Sequence, residues 1–448
     1  MKKYVFKGAN IIDGKGGLHQ GFNLVVEGRK IKDLTKEDNF GEDYFIFNVP
    51  GKTIMPGLID VHTHFAVIGT VLATKNTEYL GRVYATTVRK LQEALQFGCT
   101  AVADCGGLEV GFSQAQADGI IEAPRIKTCV TQIRTYGTVI DNMPGVGGAF
   151  SPITGYSGLP GFPEPYATGV EECRKKTREM IMYGAQLIKV INHNCINYPW
   201  LSNNASYNTD EMKAITEVAH QAGLKVTCHT NGLESNKVAL AAGVDCIDHG
   251  INLDEECIET MGKRGTYITL SFGNLYWHAF YNQSKEFRAI QLKKGLIRED
   301  ELPDNDQAIR QLIYDRRTQS QRELARKLHQ AGARIINGPD INGGMAGGNG
   351  MVTEMKEFVK SGMTPMEAIM ASTSICAQYL DWDSIIGSIE AGKEADILVI
   401  DGDPLEDIGI MEDRANLLLV MQAGKPVSGI LTRQLPYEKP RNLMDWEW

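Results

Sequence analysis

Positive charge is in short supply in this chain. Its 448 residues carry 46 Lys and Arg against 55 Asp and Glu, a formal net charge of −9. Phosphate backbones are bound by clustered positive charge, so a nucleic-acid partner is not expected. The deficit limits association only; an acidic chain can still hold a cationic catalytic centre. Long apolar runs are missing as well. No stretch reaches the roughly 18 residues of a membrane span, so no membrane partner is expected. The opening Met1-Lys2-Lys3-Tyr4-Val5-Phe6-Lys7 starts with charge but lacks a following apolar run, which makes a poor signal peptide. The nine cysteines are scattered and odd in number, and no pair has zinc-finger spacing. A disulfide frame is therefore excluded, and Cys228 and Cys246 read as reduced core residues of a cytoplasmic protein. Any metal site must rest on other ligands.

The hydrophobic fraction, 43%, is ordinary for a soluble chain long enough for one large barrel and a companion domain. Both ends carry short alternating runs closed by Gly-rich turns. Tyr4–Lys7, Ile11–Gly14 and Asn23–Gly28 read as strands, as do Ala395–Gly402 and Leu417–Val427. The spacing predicts one β-sandwich domain assembled from residues 1–55 and 387–448. Between them, residues 56–386 alternate apolar runs with amphipathic helical stretches. Strands are predicted at Gly57–His62, Thr100–Asp104, Arg125–Thr131, Leu187–Ile191, Lys225–His229, Cys246–His249, Tyr267–Ser271 and Ala333–Asn337. Eight strands alternating with helices suit an α/β fold of the (β/α)8 TIM-barrel type better than an open sheet, which periodicity alone does not exclude. Residues 137–166 read as a long loop and 274–330 as a second insertion. Arg316, Arg317 and Arg322 there are expected on a solvated helix face rather than an anion site.

The chemistry concentrates at strand ends. Met55–His64 closes an apolar run with His62 and His64, two positions apart and so on one face of a strand. Two imidazoles converging at a strand mouth can ligate one metal ion. His229 and His249 also end predicted strands, where barrel active sites lie. Lys189 sits inside Gln186-Leu187-Ile188-Lys189-Val190-Ile191, where desolvation favours its neutral amine. Such an amine can take up carbon dioxide as a carbamate that bridges two metals; the alternative is a lysine paired with an acid elsewhere. Asp340, after Gly338-Pro339, can ligate metal and accept a proton, or serve only as a turn residue.

Together these strings resemble the amidohydrolase superfamily, in its imidazolonepropionase-like and barrel-dipeptidase-like branch. The resemblance spans nearly the whole chain and includes Pro56–His64, the helix start Met363–Ile369 and the return Gly387–Ile397. It implies that His62 and His64 bind the more buried metal and His229 and His249 the second. Carboxylated Lys189 would bridge the two, and Asp340 would complete the site. It also implies a homo-oligomer and a small-molecule substrate. The chain departs from the resemblance where specificity is set: Arg134–Asp141 stands in place of a Gly-Gly-His string, and Asn192-His193-Asn194 in place of a Gly-rich loop. Tyr136 and His193 are the candidates for substrate contact there.

The expected reaction is hydrolysis of a linear or cyclic amide, including N-acyl amino acids and dipeptides, by a hydroxide shared between two divalent ions. Zinc suits the His-rich set, though ligand type also admits manganese, iron or cobalt. Asp340 would act as general base and then general acid. One rival is a heterocycle deaminase, which would want a carboxylate close behind His229; Glu234 lies five positions on, past a Gly. The other is a non-catalytic scaffold of the same fold, which the filled ligand set disfavours.

Overall fold

The computed structural model describes residues 2–66, 80–136, 138, 163–193, 204–275, 306–340 and 350–436. Five strands open the chain: β1 (Lys3–Ile12), β2 (Leu18–Glu27), β3 (Lys30–Thr35), β4 (Phe45–Asn48) and β5 (Thr53–Pro56). Two runs expected as separate strands are one, β1. Gly8, at φ +79°, lets the chain bulge between Phe6 and Ala9 instead of turning back.

Nine segments follow that carry the barrel: β6 (Leu58–Thr63), β7 (Cys99–Asp104), β8 (Arg125–Thr128), β9 (Gln132–Ile133), β10 (Ile188–Ile191), β11 (Val226–Thr230), β12 (Cys246–His249), β13 (Tyr267–Thr269) and β14 (Arg334–Ile336). Every neighbouring pair is parallel, in the orders β6-β7-β8 and β9 through β14. The expected third strand, Arg125–Thr131, is observed only as far as Thr128 (β8); the chain breaks at Val130, whose φ is 64°, and β9 resumes past the expected end. The ring closes where Val61 N donates to Asn337 O at 3.0 Å and Asp340 N donates to His62 O at 3.0 Å. Eight strand positions therefore make a closed α/β barrel. Among the helices between them is Thr209–Gln221, which matches the amphipathic run Asp210–Ala222 in the sequence. Asn208 caps it, accepting from Asp210 N and Glu211 N, while Glu211 reaches back to Asn208 N.

Three late strands, β15 (Ile397–Ile400), β16 (Leu417–Gln422) and β17 (Lys425–Ser428), return to the opening ones. The sheet runs β17-β16-β15-β5-β1-β2-β3, with β4 beside β1. The strands expected as a sandwich are thus hydrogen-bonded into a single eight-stranded sheet. Strand periodicity explains how the sheet joins the barrel. Ile397 and Val399 point into its own core with Phe6 and Phe47, while Leu398 and Ile400 point into the barrel core. All four are fully buried, which is why this run is continuously apolar.

In the barrel the alternation has another use. Ile188, Val190 and Ile247 pack outward, whereas Leu187, Lys189, Cys246 and Asp248 sit on the opposite, inward-facing side. At the N-terminal end Leu187, Ala101 and Ile336 cluster with Tyr379 and Leu380, plugging the barrel. The polar residues are thus left to the C-terminal mouth. The eight described cysteines are all buried and unbridged. No described helix is long and apolar enough to cross a membrane.

The basic helix of the second insertion is Asp306–Ala331. A fully solvated face describes only part of it. Arg316 is exposed, but Arg322 Nε donates to buried Glu357 at 2.5 Å, and burial pushes the Arg317 guanidinium down to about 10. Beside Glu357, Glu354 is fully buried. Its Oε1 accepts from Gly273 N at 2.8 Å and its Oε2 has no hydrogen-bond partner among the described residues. Burial pushes this carboxyl well above the carboxylate range, so the folded state holds its proton longer than the unfolded chain. Glu354 therefore supports stability most below about pH 4.3, and that support is lost as pH rises toward its folded pKa, by up to about 1.4 kcal/mol per pH unit. In Glu354→Gln, unfolding free energy should fall less steeply with pH above about 4.3 than in the parent. Urea melts at a series of pH values check this; identical slopes would mean Glu354 is ionised in the fold.

Candidate active site

The mouth gathers residues from the ends of five strands. His62 and His64 come from β6 and the residue just past it, Lys189 from β10, and His229 and His249 from β11 and β12. Asp340 follows β14. Ligand atoms of His62, His249 and Asp340 all lie within 4.8 Å of one another. His62 Nε2 and His64 Nε2 are each 3.4 Å from Asp340 Oδ1, and His249 Nε2 is 3.9 Å from Asp340 Oδ2. His249 Nε2 and His229 Nδ1 face each other at 3.0 Å. Lys189 Nζ lies 3.4 Å from His62 Nε2. All six expected positions are brought together.

Each imidazole offers one nitrogen to this centre and has the other held from outside. His64 Nδ1 meets Gly106 O at 3.0 Å, and His62 Nδ1 lies 3.1 Å from Asp248 Oδ1. His249 Nδ1 is 3.0 Å from Ser271 Oγ, whose own hydrogen goes to Gly338 O at 3.1 Å. That hydroxyl must therefore accept, so His249 carries its hydrogen on Nδ1 and leaves Nε2 as a lone pair. Asn231 faces His229 Nε2 at 3.2 Å, and its Oδ1 has no hydrogen-bond partner among the described residues. With the amide turned over, Oδ1 accepts from Nε2–H and Nδ1 is left free. Burial pushes His249 down to about 3 and His229 well below the usual histidine range, so both are neutral. Burial opposes ionisation of Asp340, but its close contacts with His62, His64 and His249 hold it well below the carboxylate range. Imidazoles with outward-held nitrogens around an ionised carboxylate are the donor chemistry of a divalent metal.

The backbone here is forced. His249, Ser271 and Asp340 have φ of 70°, 53° and 53°, a left-handed region that side-chain-bearing residues rarely adopt. Hydrogen bonds hold the strain in place. Asn274 Nδ2 donates to Asp340 Oδ2 at 2.8 Å and to Asp340 O at 3.1 Å. Gln321, on the helix Asp306–Ala331, donates to His249 O at 3.2 Å and Leu270 O at 3.0 Å. Gly338 has to be glycine, because a Cβ there would come within 2.8 Å of His62 Cβ. Asp104, at the end of β7, accepts from Phe65 N, Gly106 N and Leu108 N, pinning the turn that carries Gly106 O.

Lys189 differs from expectation. Desolvation should favour its neutral amine, yet it meets the buried carboxylate of Asp248 directly. Burial lowers its pKa, but Asp248 outweighs that and raises it above the ordinary lysine value, so the side chain is an ammonium here. The paired-acid alternative thus describes the metal-free site, and the acid is Asp248. Sequence reasoning passed over Asp248, Ser271, Asn231, Asn274 and Gln321. A visible signal existed only for Asp248, a carboxylate inside the apolar run Cys246–His249.

The two candidates for substrate contact part company. His193 is fully buried, with its ring stacked on His229 at a centroid distance of 6.0 Å. Tyr136 is 73% exposed and stacks instead on Tyr166, so the structure does not bring it to the cluster. Glu234, the carboxylate a deaminase would need, is exposed on the first turn of helix Leu233–Ala241. Most of the loop 137–166, and residues 276–305 of the second insertion, fall outside the described residues.

The pattern of the amidohydrolase family matches residues 53–427. The chain belongs to the amidohydrolase family. Among curated relatives it is 27% identical to an ochratoxinase of Aspergillus niger, over 94% of this chain and 85% of that one. It is 23% identical to an imidazolonepropionase of a Geobacillus species, over 80% of this chain and 76% of the other. A solved prolidase, complexed with N-methylphosphonate-L-proline, superposes with a TM-score of 0.76 at 25% identity, covering 95% of this chain and 99% of its own. The protein is accordingly a hydrolase of amide or dipeptide-type C–N bonds.

Proposed function

We propose that this amidohydrolase uses two divalent metal ions, zinc in the first instance, to cleave the amide of a small N-acyl amino acid or dipeptide. His62, His64 and Asp340 would hold one ion and His229 and His249 the other, with Lys189, carboxylated by carbon dioxide, shared between them. Ions bound there would lower the pKa of water into the neutral range and polarise a carbonyl. The observation that carries the reading is the common aim of four imidazoles, each with its outer nitrogen held.

The chain's own residues supply the rest. Ionised Asp340 takes the proton of the attacking water and returns it to the leaving nitrogen, as general base and then general acid. Asn274, donating to Asp340 Oδ2, leaves Oδ1 turned toward His62 and His64. His193, stacked on His229, stands where it can donate to the substrate's carbonyl or carboxylate. The acyl amino acid class is favoured over cyclic amides by the ochratoxinase and prolidase resemblances, both close to full length.

Dialysis against a chelator should abolish hydrolysis, and added zinc or manganese should restore it. The assay is mass spectrometry of a pool of N-acyl amino acids, dipeptides, lactams, cyclic ureas and aminated heterocycles. Cleaved amides that vanish with the metal support the reading. Amine-to-oxygen exchange would replace it with deamination, and full activity after chelation would end the metal assignment.

A further inference from the structure

We propose that Asp248 is a positioning residue of this site, fixing the tautomer and aim of His62 while placing Lys189 Nζ beside it. The inference rests on the metal-binding reading above. Asp248 lies on β12, one residue before His249, and is fully buried beneath the ligand cluster. Its two oxygens divide the work. Oδ1 is 3.1 Å from His62 Nδ1 and accepts from Thr269 Oγ1 at 3.0 Å. Oδ2 meets Lys189 Nζ and accepts from Thr227 Oγ1 at 2.8 Å. Four donors from four different strands converge on one carboxylate.

An ionised carboxylate only accepts, so the ring nitrogen facing it must carry the hydrogen. His62 is therefore the Nδ1–H tautomer, with an Nε2 lone pair turned toward Asp340 Oδ1 and Lys189 Nζ, each at 3.4 Å. Thr269 Oγ1 also lies 3.4 Å from His62 Nδ1, but its hydrogen is committed to Asp248. That hydroxyl can then only accept from Nδ1, so both groups facing this nitrogen require its hydrogen. Of the four outer partners, Asp248 is the only charged one; Gly106 O, Ser271 and Asn231 are neutral. A carboxylate behind a ligating imidazole raises its basicity as well as fixing its rotation. Because the same carboxylate holds Lys189, one side chain ties the first ligand of the cluster to the shared one. Asp248 touches no reacting atom and acts through these two neighbours.

The direct test is the tautomer. In metal-free protein labelled with 15N-histidine, the His62 ring should show a protonated Nδ1 and a bare Nε2. The signal is assigned by its loss in His62→Asn. A hydrogen on Nε2 would overturn the proposal without any variant of Asp248. The second test titrates zinc into Asp248→Asn and Thr269→Val, with binding measured calorimetrically. Asp248→Asn should bind zinc about 10–100-fold more weakly. Thr269→Val, which only loosens Oδ1, should fall between it and the parent. Parental zinc affinity in a folded Asp248→Asn would sink the proposal. If the parent itself bound no zinc, the metal reading would fail instead, and the tautomer would still decide the Asp248–His62 contact.

Discussion

Asp340→Asn should lower turnover by about 100- to 10,000-fold while metal content falls far less. The amide is nearly isosteric and keeps one oxygen for coordination, but it cannot take up a proton near neutral pH. The site makes the distinction sharp. Asp340 N is held by His62 O and its carbonyl by Asn274, so the backbone at φ 53° stays in place when the side chain changes. Contacts with His62, His64 and His249 favour the ionised carboxylate, the form that can accept a proton. The measurement is steady-state turnover on the substrate found in the pool, paired with metal analysis of the same sample. Near-normal turnover at full occupancy would remove Asp340 from proton transfer. Equal losses of turnover and metal would reduce it to a ligand.

Lys189→Met should be the most destabilising single change at the site, by about 3–5 kcal/mol, with activity reduced to background. Methionine matches the stem of lysine and leaves little cavity. In the metal-free protein it removes the ammonium, leaving Asp248 a buried charge whose remaining partners among the described residues are His62, Thr227, Thr269 and the weak Cys246 thiol. Removing the acid too should recover part of the loss, because replacing both members of a buried ion pair costs less than stranding one. The double variant Lys189→Met/Asp248→Leu is therefore expected to unfold at a higher urea concentration than Lys189→Met, yet to remain inactive. The comparison separates two roles of one lysine. Restored stability without activity ties the lysine to the chemistry. Unchanged stability in the single variant would mean that the Lys189–Asp248 pair contributes nothing to the fold.

Much of the barrel was legible because burial on two sides forces continuous apolar runs, and such runs are visible in one dimension. β12, for example, is predicted and observed at Cys246–His249. The departures have local causes. The third strand breaks at Val130, and β1 passes through Gly8 where turn residues suggested an end. Glycine permits a bulge as readily as a turn, and its sequence does not say which.

The ligand cluster was legible for a related reason. Parallel strands all end at one mouth, so a polar residue closing an apolar run is placed there by the fold itself. His62, His64, Lys189, His229, His249 and Asp340 could thus be chosen before any distance was known. Tyr136 shows the limit of that rule. It follows a strand by a few residues, where the chain is free to turn, and it turns outward to Tyr166.

The sequence by itself determined the order of strands and helices, the side of the barrel that carries chemistry, and the six side chains at its centre. Only the tertiary structure decided the charge state of Lys189, the tautomers of the histidines and the strain at Asp340. Those depend on partners far away in the chain: Asp248 is 59 residues from Lys189, and Thr269 is 207 from His62. Periodicity reports which way a side chain points. It carries no information about which group waits opposite, and in a buried site the opposite group sets the proton.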